Sequence, residues 1–159
     1  MKMQPNDLKI EGVEVLSPAD QKAIIATIGR LFVGFARRDA DMLEGVYTDD
    51  TDWINAFGSV KKGSPQIVEY LRGLFADDNF NEGAVDVVPT CSLRVLDADN
   101  VVVIAHLQIT GQGLVGGGSI PLRDNRSVHV LSRQNDGGWR IVTELFQDAR
   151  TDSSYINHS

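Results

Sequence analysis

The apolar residues of this 159-residue chain change their spacing near Gly83, and this change limits the folds available to it. Before Gly83 they recur at every third or fourth position, which is the pattern of one helix face. After Gly83 they alternate with polar residues between turn sequences, which is the pattern of antiparallel strands. Helices followed by a run of strands predict an α+β fold, in which the helices pack on one face of a curved sheet.

Two long helices are predicted before Gly83. Ser17-Pro18 and Ser64-Pro65 are both helix starts, because serine caps exposed backbone N–H groups and proline suits the first helical turn. The first helix is predicted to end near Arg38, whose positive charge favours the negative end of the helix dipole. A shorter helix is predicted between the two, at residues 41–47.

Four long strands are predicted after Gly83, and one short strand precedes them at residues 53–57. The long strands are predicted at about 84–97, 101–114, 124–135 and 138–149. They exceed the usual strand length, so bulges or strong curvature are expected. The glycine-rich connection at 111–118 has no following Lys-Ser or Lys-Thr and no helix opens after it, which argues against a phosphate-binding loop.

Composition limits the partners and the cell compartment. Net charge is -7, and no basic cluster exceeds two residues, which argues against binding to nucleic acid or to an anionic membrane. A single cysteine, Cys91, excludes an intramolecular disulfide. The first residues lack an apolar signal core and no run is long enough for a membrane span, so a cytoplasmic protein is predicted. One domain is predicted at 17–150, with tails at 1–16 and 151–159.

Residues 47–63 between the two long helices are predicted to form part of a cavity wall. Trp53 and Asn55 are two residues apart, and such spacing puts both side chains on one face of a strand. The alternative is that Trp53 belongs to the core and Asn55 bonds to nearby backbone. Three further aromatic residues are candidate ligand contacts, with simple core packing as the alternative: Phe35, Tyr47 and Phe75.

Alternation in the later strands predicts one partly polar face that carries His106, His129 and Glu144. A histidine beside a carboxylate suits general acid–base catalysis, and imidazole titrates near neutral pH. His106 is the predicted catalytic residue, and His129 and Glu144 are predicted to contact the substrate. The alternative is a solvated or subunit-facing surface. Three histidines without close spacing predict no metal site, and no cofactor is predicted.

Several segments together resemble the nuclear transport factor 2-like superfamily, and within it the SnoaL-like group that includes the SgcJ/EcaC-type proteins. They are the helix end FARRDAD at 35–41, Trp53-Ile54-Asn55 with Gly58, and the closing strand Gly138-Trp139-Arg140-Ile141-Val142. The resemblance implies a cone, in which a strongly bent antiparallel or mixed sheet wraps around the N-terminal helices. It also implies a deep apolar pocket and a homodimer that pairs through the outer sheet face.

The same resemblance implies a small-molecule pocket protein for an apolar, aromatic or polycyclic ligand. The superfamily includes ketosteroid isomerase, scytalone dehydratase and polyketide cyclases, but also binding modules without catalysis, so the fold does not determine the activity. As an enzyme, the chain is expected to perform cofactor-free isomerisation, cyclisation or dehydration by proton transfer. The alternative is a non-catalytic binding or dimerisation module. No isomerase-like Tyr–Asp pair can be placed, and Asp148 is the nearest match to a cyclase-type acid.

Overall fold

A computed structural model describes residues 3–78, 80, 83–85, 88–113 and 116–149, with the backbone alone at 119–121. The helices are α1 (Pro18–Arg37) and α2 (Gly63–Phe75), with short 3-10 helices at Pro5–Asp7, Val13–Val15 and Ala40–Leu43. The strands are β1 (Ile10–Glu11), β2 (Tyr47–Ile54), β3 (Val60–Lys62), β4 (Thr90–Asp97), β5 (Asn100–Gly113), β6 (Ser119–Arg133) and β7 (Trp139–Asp148). The predicted tail at 151–159 lies outside the described residues.

The strands form one mixed sheet in the order β1-β4-β5-β6-β7-β2-β3. Strands β4 to β7 are an antiparallel meander, whereas β2 runs parallel to β7 and β1 runs parallel to β4. The two helices cover one face of this curved sheet. The predicted α+β class, a curved mixed sheet around N-terminal helices, is therefore confirmed.

Both helices form where their sequence patterns predict them, with one shifted start. The Ser17 hydroxyl accepts a hydrogen bond from the Asp20 backbone N–H at 3.2 Å, and Pro18 opens α1. Helix α2 begins at Gly63, one residue before the predicted serine. Gly63 has a φ of 82°, and a Cβ there would lie 2.3 Å from the Asp49 carbonyl oxygen, so only glycine fits. The predicted short helix is shorter, because Tyr47 already belongs to β2.

The N-terminal segment is packed onto the domain and does not form the tail that its composition suggested. Leu8 and Ile10 are only 2% and 4% exposed. Ile10 pairs with Cys91 and so extends the sheet edge at β4. The Pro5 backbone packs closely against Gly29. A Cβ atom at position 29 would lie 1.9 Å from the Pro5 carbonyl oxygen. This segment buries only four apolar residues, and polar residues flank each of them. So few positions produce no periodic signal, which is why the sequence pattern did not reveal this packing.

A β-bulge in β7 brings two sets of side chains to the same face. Val130 pairs with Thr143 and Leu131 with Ile141, which leaves Val142 as an extra residue. Trp139 and Ile141 are buried on the helix side, and Glu144, which follows the bulge, is buried on the same side. Strict alternation along β7 would put Trp139 and Ile141 on the face opposite Glu144, and the bulge is the reason that all three share one face.

The two faces of the sheet differ in chemistry. The inner face, which packs against the helices, carries buried residues: Val101, Val103, Ala105, Leu131, Trp139 and Ile141. The outer face carries exposed apolar side chains that are neighbours across the strands: Ile54, Ile104, Val128 and Leu145. Any enclosed site must therefore lie between the inner face and the helices.

Candidate functional site

A cavity lies between α1, α2 and the inner face of the sheet. It comprises about 680 Å³ of space, a volume that includes solvent at its open mouth. Its apolar lining consists of Phe32, Phe35, Trp53, Ala56, Phe57, Leu71, Leu74, Phe80, Val85, Leu107, Ile109 and Phe146. Its polar lining consists of Arg38, Asn55, Gln112, Arg123 and Asn125. Such a lining suits an apolar molecule with one polar end.

Arg123 is the centre of the polar end of the cavity. Its Nε and Nη2 atoms donate to the two carboxylate oxygens of Asp148 at 2.9 and 3.2 Å, a bidentate geometry. Asn125 Nδ2 donates to the same carboxylate at 2.9 Å. Arg123 Nη1 reaches Gln112 Oε1 at 3.4 Å. Because Arg123 is only 7% exposed, this pairing compensates a charge that is largely removed from water.

Gln112 reaches the cavity because the alternation of β5 breaks at Gly111. Ile109 lines the cavity and Thr110 is exposed, so strict alternation would turn residue 112 outwards. Gly111 has a φ of 68°, a left-handed conformation that glycine adopts without strain. Gln112 is instead 1% exposed, and its Nε2 donates to the Phe80 carbonyl oxygen at 2.6 Å.

Arg38 follows the end of α1 and also lines the cavity. Its Nη1 donates to the Phe35 carbonyl oxygen, and its Nη2 donates to the Gly83 carbonyl oxygen at 2.8 Å. The guanidinium lies 5.7 Å from the centre of the Phe80 ring. Burial, and secondarily the positive charge of Arg123, lower the pKa of Arg38. Arg38 Nε is the one buried side-chain nitrogen or oxygen among the described residues that has no hydrogen-bond partner.

A fully buried hydrogen-bond network surrounds Glu144. Its Oε1 accepts from the Tyr47 hydroxyl at 2.6 Å and from Trp53 Nε1 at 2.9 Å. Its Oε2 accepts from His129 Nδ1 at 2.6 Å, and His129 Nε2 is hydrogen-bonded to the Ser127 hydroxyl at 2.7 Å. Burial, followed by the negative charge of Glu144, raises the pKa of Tyr47 well above its ordinary value.

Aromatic rings separate this network from the cavity. The rings of Phe32 and Phe146 meet the His129 ring edge to face, with centroids 5.8 and 5.7 Å away. Both phenylalanines line the cavity, whereas His129 and Glu144 do not. Trp53 joins the two regions, because it lines the cavity while its Nε1 donates to Glu144.

The predicted ligand contacts divide into two groups. Trp53, Asn55 and Phe35 line the cavity, whereas Tyr47, His129 and Glu144 form the buried network. Phe75 is not a lining residue of this cavity, and its ring packs on Phe35 with centroids 5.2 Å apart.

Asn55 combines the two roles that the sequence left open. Its Oδ1 accepts from the backbone N–H groups of Phe57 and Ser59, at 3.0 and 2.8 Å. Its Nδ2 donates to the Tyr70 hydroxyl at 3.0 Å. The residue therefore holds the turn after β2 and also presents a polar group to the cavity.

The prediction that His106 shares a face with His129 and Glu144 is wrong. Residues directly opposite each other in a sheet share a face. His129 is paired with Glu144 on one side and with Val103 on the other, so the odd-numbered residues of β5 face inwards as far as Ile109. His106 therefore lies on the outer face, where Nε2 bonds to Asp124 Oδ1 and 37% of its side chain is exposed. This position is remote from the cavity lining.

Sequence reasoning missed Arg38, Gln112, Arg123 and Asn125 as cavity residues. The sequence did contain a signal for Arg123 and Asn125. Both lie an even number of residues before His129 in β6, so alternation puts them on the same face as His129. No local signal existed for Arg38 and Gln112. Their positions depend on left-handed backbone at Arg38 itself and at Gly111.

Within the described part of the chain, no group of three or more histidine, cysteine or acidic residues could hold a metal ion. No described helix is long and apolar enough to cross a membrane, and the cytoplasmic location stays a prediction.

Cys91 is buried, and this burial raises the pKa of its thiol to about 12, so it is a poor nucleophile.

A family model for the SnoaL-like domain matches residues 28–143. None of the curated proteins compared with the chain is a match. Solved structures show the same fold at low sequence identity.

One of these structures is a protein with a cystatin-like fold from Caulobacter vibrioides, at 19% identity and a TM-score of 0.74, covering 85% of this chain and 93% of that one. A hexachlorocyclohexane dehydrochlorinase of the LinA type from Novosphingobium barchaimii has 17% identity, a TM-score of 0.70, and coverage of 89% and 95%. A ketosteroid isomerase-like protein from Erwinia carotovora has 16% identity, a TM-score of 0.65, and coverage of 80% and 95%. Such identities establish the fold alone.

Proposed function

Because the chain belongs to the SnoaL-like domain family, we propose that it binds a small apolar or aromatic molecule in the cavity between its helices and its sheet. The aromatic lining of this cavity is the observation that supports the proposal. Phe35 from α1, Trp53 from β2 and Phe146 from β7 converge on one space, and their rings present mainly apolar surface to it. Burying a ligand against these rings removes apolar area from water, which favours binding.

Binding explains the lining better than catalysis does. Among the described residues that line the cavity, none is a carboxylic acid or a histidine. The buried pair His129–Glu144 is saturated by its own hydrogen bonds. The acid–base role of His106 stays a prediction, and its place on the outer face gives it no contact with a ligand in the cavity.

The binding proposal can be tested by filling the cavity. In isothermal titration with naphthalene and anthracene derivatives, the wild-type protein should bind. A Leu107→Trp variant, which adds an indole to the cavity lining, should weaken binding by about tenfold or more, equivalent to about 1.4 kcal/mol. Leu96→Trp is the control, since Leu96 lies in β4, is 55% exposed, does not line the cavity and is not one of the neighbouring apolar residues of the outer face. Equal weakening in both variants, or no binding by the wild type, would contradict the proposal.

Cofactor-free proton transfer is the second candidate function, and one observation favours it. The His129 ring packs edge to face against Phe146, a ring that lines the cavity, so displacement of Phe146 would expose the imidazole to the ligand. Two enzyme-type structures, a dehydrochlorinase and an isomerase-like protein, share the fold.

Deuterium uptake by polycyclic ketones and lactones in D₂O would detect such proton transfer. Phe146→Ala should accelerate the uptake, because it opens the cavity towards His129. Leu96→Ala, which truncates an exposed side chain away from the cavity lining, should leave the rate unchanged. Absence of uptake with wild type and Phe146→Ala alike would remove this candidate.

We also propose that the chain forms a homodimer through the outer face of its sheet. Ile104, Val128 and Leu145 are neighbours across three strands and are 38–50% exposed, an apolar row that a second subunit would cover. Light scattering at micromolar concentration should give twice the chain mass. Leu145→Asp should give the monomer mass, whereas Val15→Asp, at a site 73% exposed outside the sheet, should remain dimeric. A monomeric wild type would refute the dimer.

A further inference from the structure

The polar end of the cavity holds more positive than negative charge. Arg123 is neutralised by Asp148, which accepts two hydrogen bonds from it. Arg38 donates only to the carbonyl oxygens of Phe35 and Gly83, and no ion pair to it is present among the described residues. In the part of the chain that the structure describes, two guanidinium groups and one carboxylate therefore leave one positive charge uncompensated in a largely apolar space.

The backbone of Arg38 is in an unusual conformation. It has a φ of 54°, and it is the one non-glycine residue with a positive φ in the part of the chain that the structure describes. Glycine, and after it asparagine, is preferred at this position after a helix, because a Cβ atom makes the left-handed backbone unfavourable. An arginine at this position indicates that its side chain has a role that glycine could not supply.

The side chain of Arg38 is also incompletely satisfied. Its Nε is buried without an acceptor, whereas nearly all buried donors in proteins are paired. Arg123 has a comparable donor, since Nε and Nη2 are used by Asp148 while Nη1 has only the long 3.4 Å contact to Gln112. The cavity thus presents two guanidinium groups that can each donate a further or stronger hydrogen bond.

We infer that the ligand of this cavity is a monoanionic carboxylate with an apolar or aromatic body. Its carboxylate would accept hydrogen bonds from Arg38 and Arg123, and its body would lie against Phe35, Trp53 and Phe146. One negative charge balances the one uncompensated positive charge, whereas a doubly charged phosphate would leave an excess negative charge in a space of low polarity. This inference rests on the proposed binding function and specifies its ligand class.

A purely structural role for Arg38 leads to a different expectation. Its hydrogen bonds to Phe35 and Gly83 fasten the end of α1 to the neighbouring loop. If that were its only role, affinity would not depend on whether the ligand carries a charge.

Matched pairs of acid and primary amide distinguish these expectations. Benzoate, 2-naphthoate and anthracene-2-carboxylate would each be compared with the corresponding amide by isothermal titration, because acid and amide share one shape. In the wild type we expect the acid of at least one pair to bind about tenfold more tightly than its amide. In Arg38→Met, which keeps a long apolar stem, this preference should disappear while the amide affinity changes less than about twofold.

Arg37→Met is the control for net charge. Arg37 is the exposed neighbour of Arg38 and does not line the cavity, so its loss should leave the preference for the acid intact. If circular dichroism shows that Arg38→Met does not fold, Arg38→Gln replaces it. The comparison of acid with amide in the wild-type protein requires no variant.

The outcomes separate this inference from the function on which it rests. If amides bind as tightly as acids, the inference is overturned while the binding function stands. If no member of either series binds, the binding function fails and the inference fails with it. If Arg37→Met removes the preference as completely as Arg38→Met, general charge attraction accounts for it and the Arg38 site is refuted.

Discussion

Two histidine–carboxylate pairs lie on opposite faces of the same sheet. On the inner face, His129 and Glu144 are both 0% exposed at their side chains. On the outer face, the side chains of His106 and Asp124 are 37% and 30% exposed. The two pairs have the same chemical groups and the same kind of hydrogen bond, so their different surroundings alone set what each pair does.

The surroundings determine the energetic value of each pair. Glu144 is held by three donors without water, so loss of the carboxylate would leave each of them unpaired in a medium of low dielectric constant. His106 and Asp124 can exchange their mutual contact for water. Exposed ion pairs contribute about 0–1 kcal/mol. The inner pair is therefore a structural element, and the outer pair is a surface interaction.

The largest expected effect is on stability when the inner carboxylate is removed. Glu144→Leu should lower the free energy of unfolding by about 3–5 kcal/mol, because buried donors lose their partner. Urea denaturation measures this loss, and Glu144→Gln, which keeps an acceptor, should lose about 1–3 kcal/mol. Asp124→Leu on the outer face should lose less than about 1 kcal/mol. Similar losses at Glu144 and Asp124 would erase the distinction between the pairs.

Alkaline pH should affect the inner network next. The pKa of Tyr47 is raised in the folded protein, so the unfolded chain ionises this phenol first. Stability from this source is fully present below the ordinary tyrosine pKa of about 10 and is lost as pH rises above it.

Urea titrations of wild type and Tyr47→Phe at increasing pH measure this contribution. The wild type should lose stability more steeply, and the difference isolates Tyr47, because Cys91 is present in both proteins. Parallel curves would mean that Tyr47 is not sealed in the folded state.

The smallest effect is expected at the outer pair. The hydrogen bond from His106 lowers the pKa of Asp124, so its stabilising contribution is present above the unfolded pKa of about 3.9 and is lost as pH falls through the lowered value. In His106→Ala the pKa of Asp124 should rise towards its ordinary range, as followed by carboxyl NMR. Stability at neutral pH should change by less than about 1 kcal/mol. An unchanged Asp124 titration would show that the pair does not persist in solution.

Much of the candidate site follows from local pattern, and part of it does not. Trp53 and Phe35, two of the candidate ligand contacts, line the cavity, and Asn55 both holds a turn and lines the cavity. The placement of His106 failed because alternation defines two faces of a strand but does not say which face is inner. Alternation also cannot show that Glu144 and Trp139 share a face, because a one-residue bulge between them reverses the pattern.

The sequence by itself determined the α+β class, the two long helices and the run of strands after them, because periodicity, capping and turn residues act over a few neighbouring positions. Its short segments also carried the resemblance to the SnoaL-like group. Only the tertiary structure decided which histidine–carboxylate pair is buried and which is partly exposed to water. It also decided that Arg38 and Arg123 meet at one end of an apolar cavity. These outcomes depend on strand register, on a bulge at Val142 and on left-handed backbone at Arg38 and Gly111, and such features are set by contacts between residues far apart in the chain.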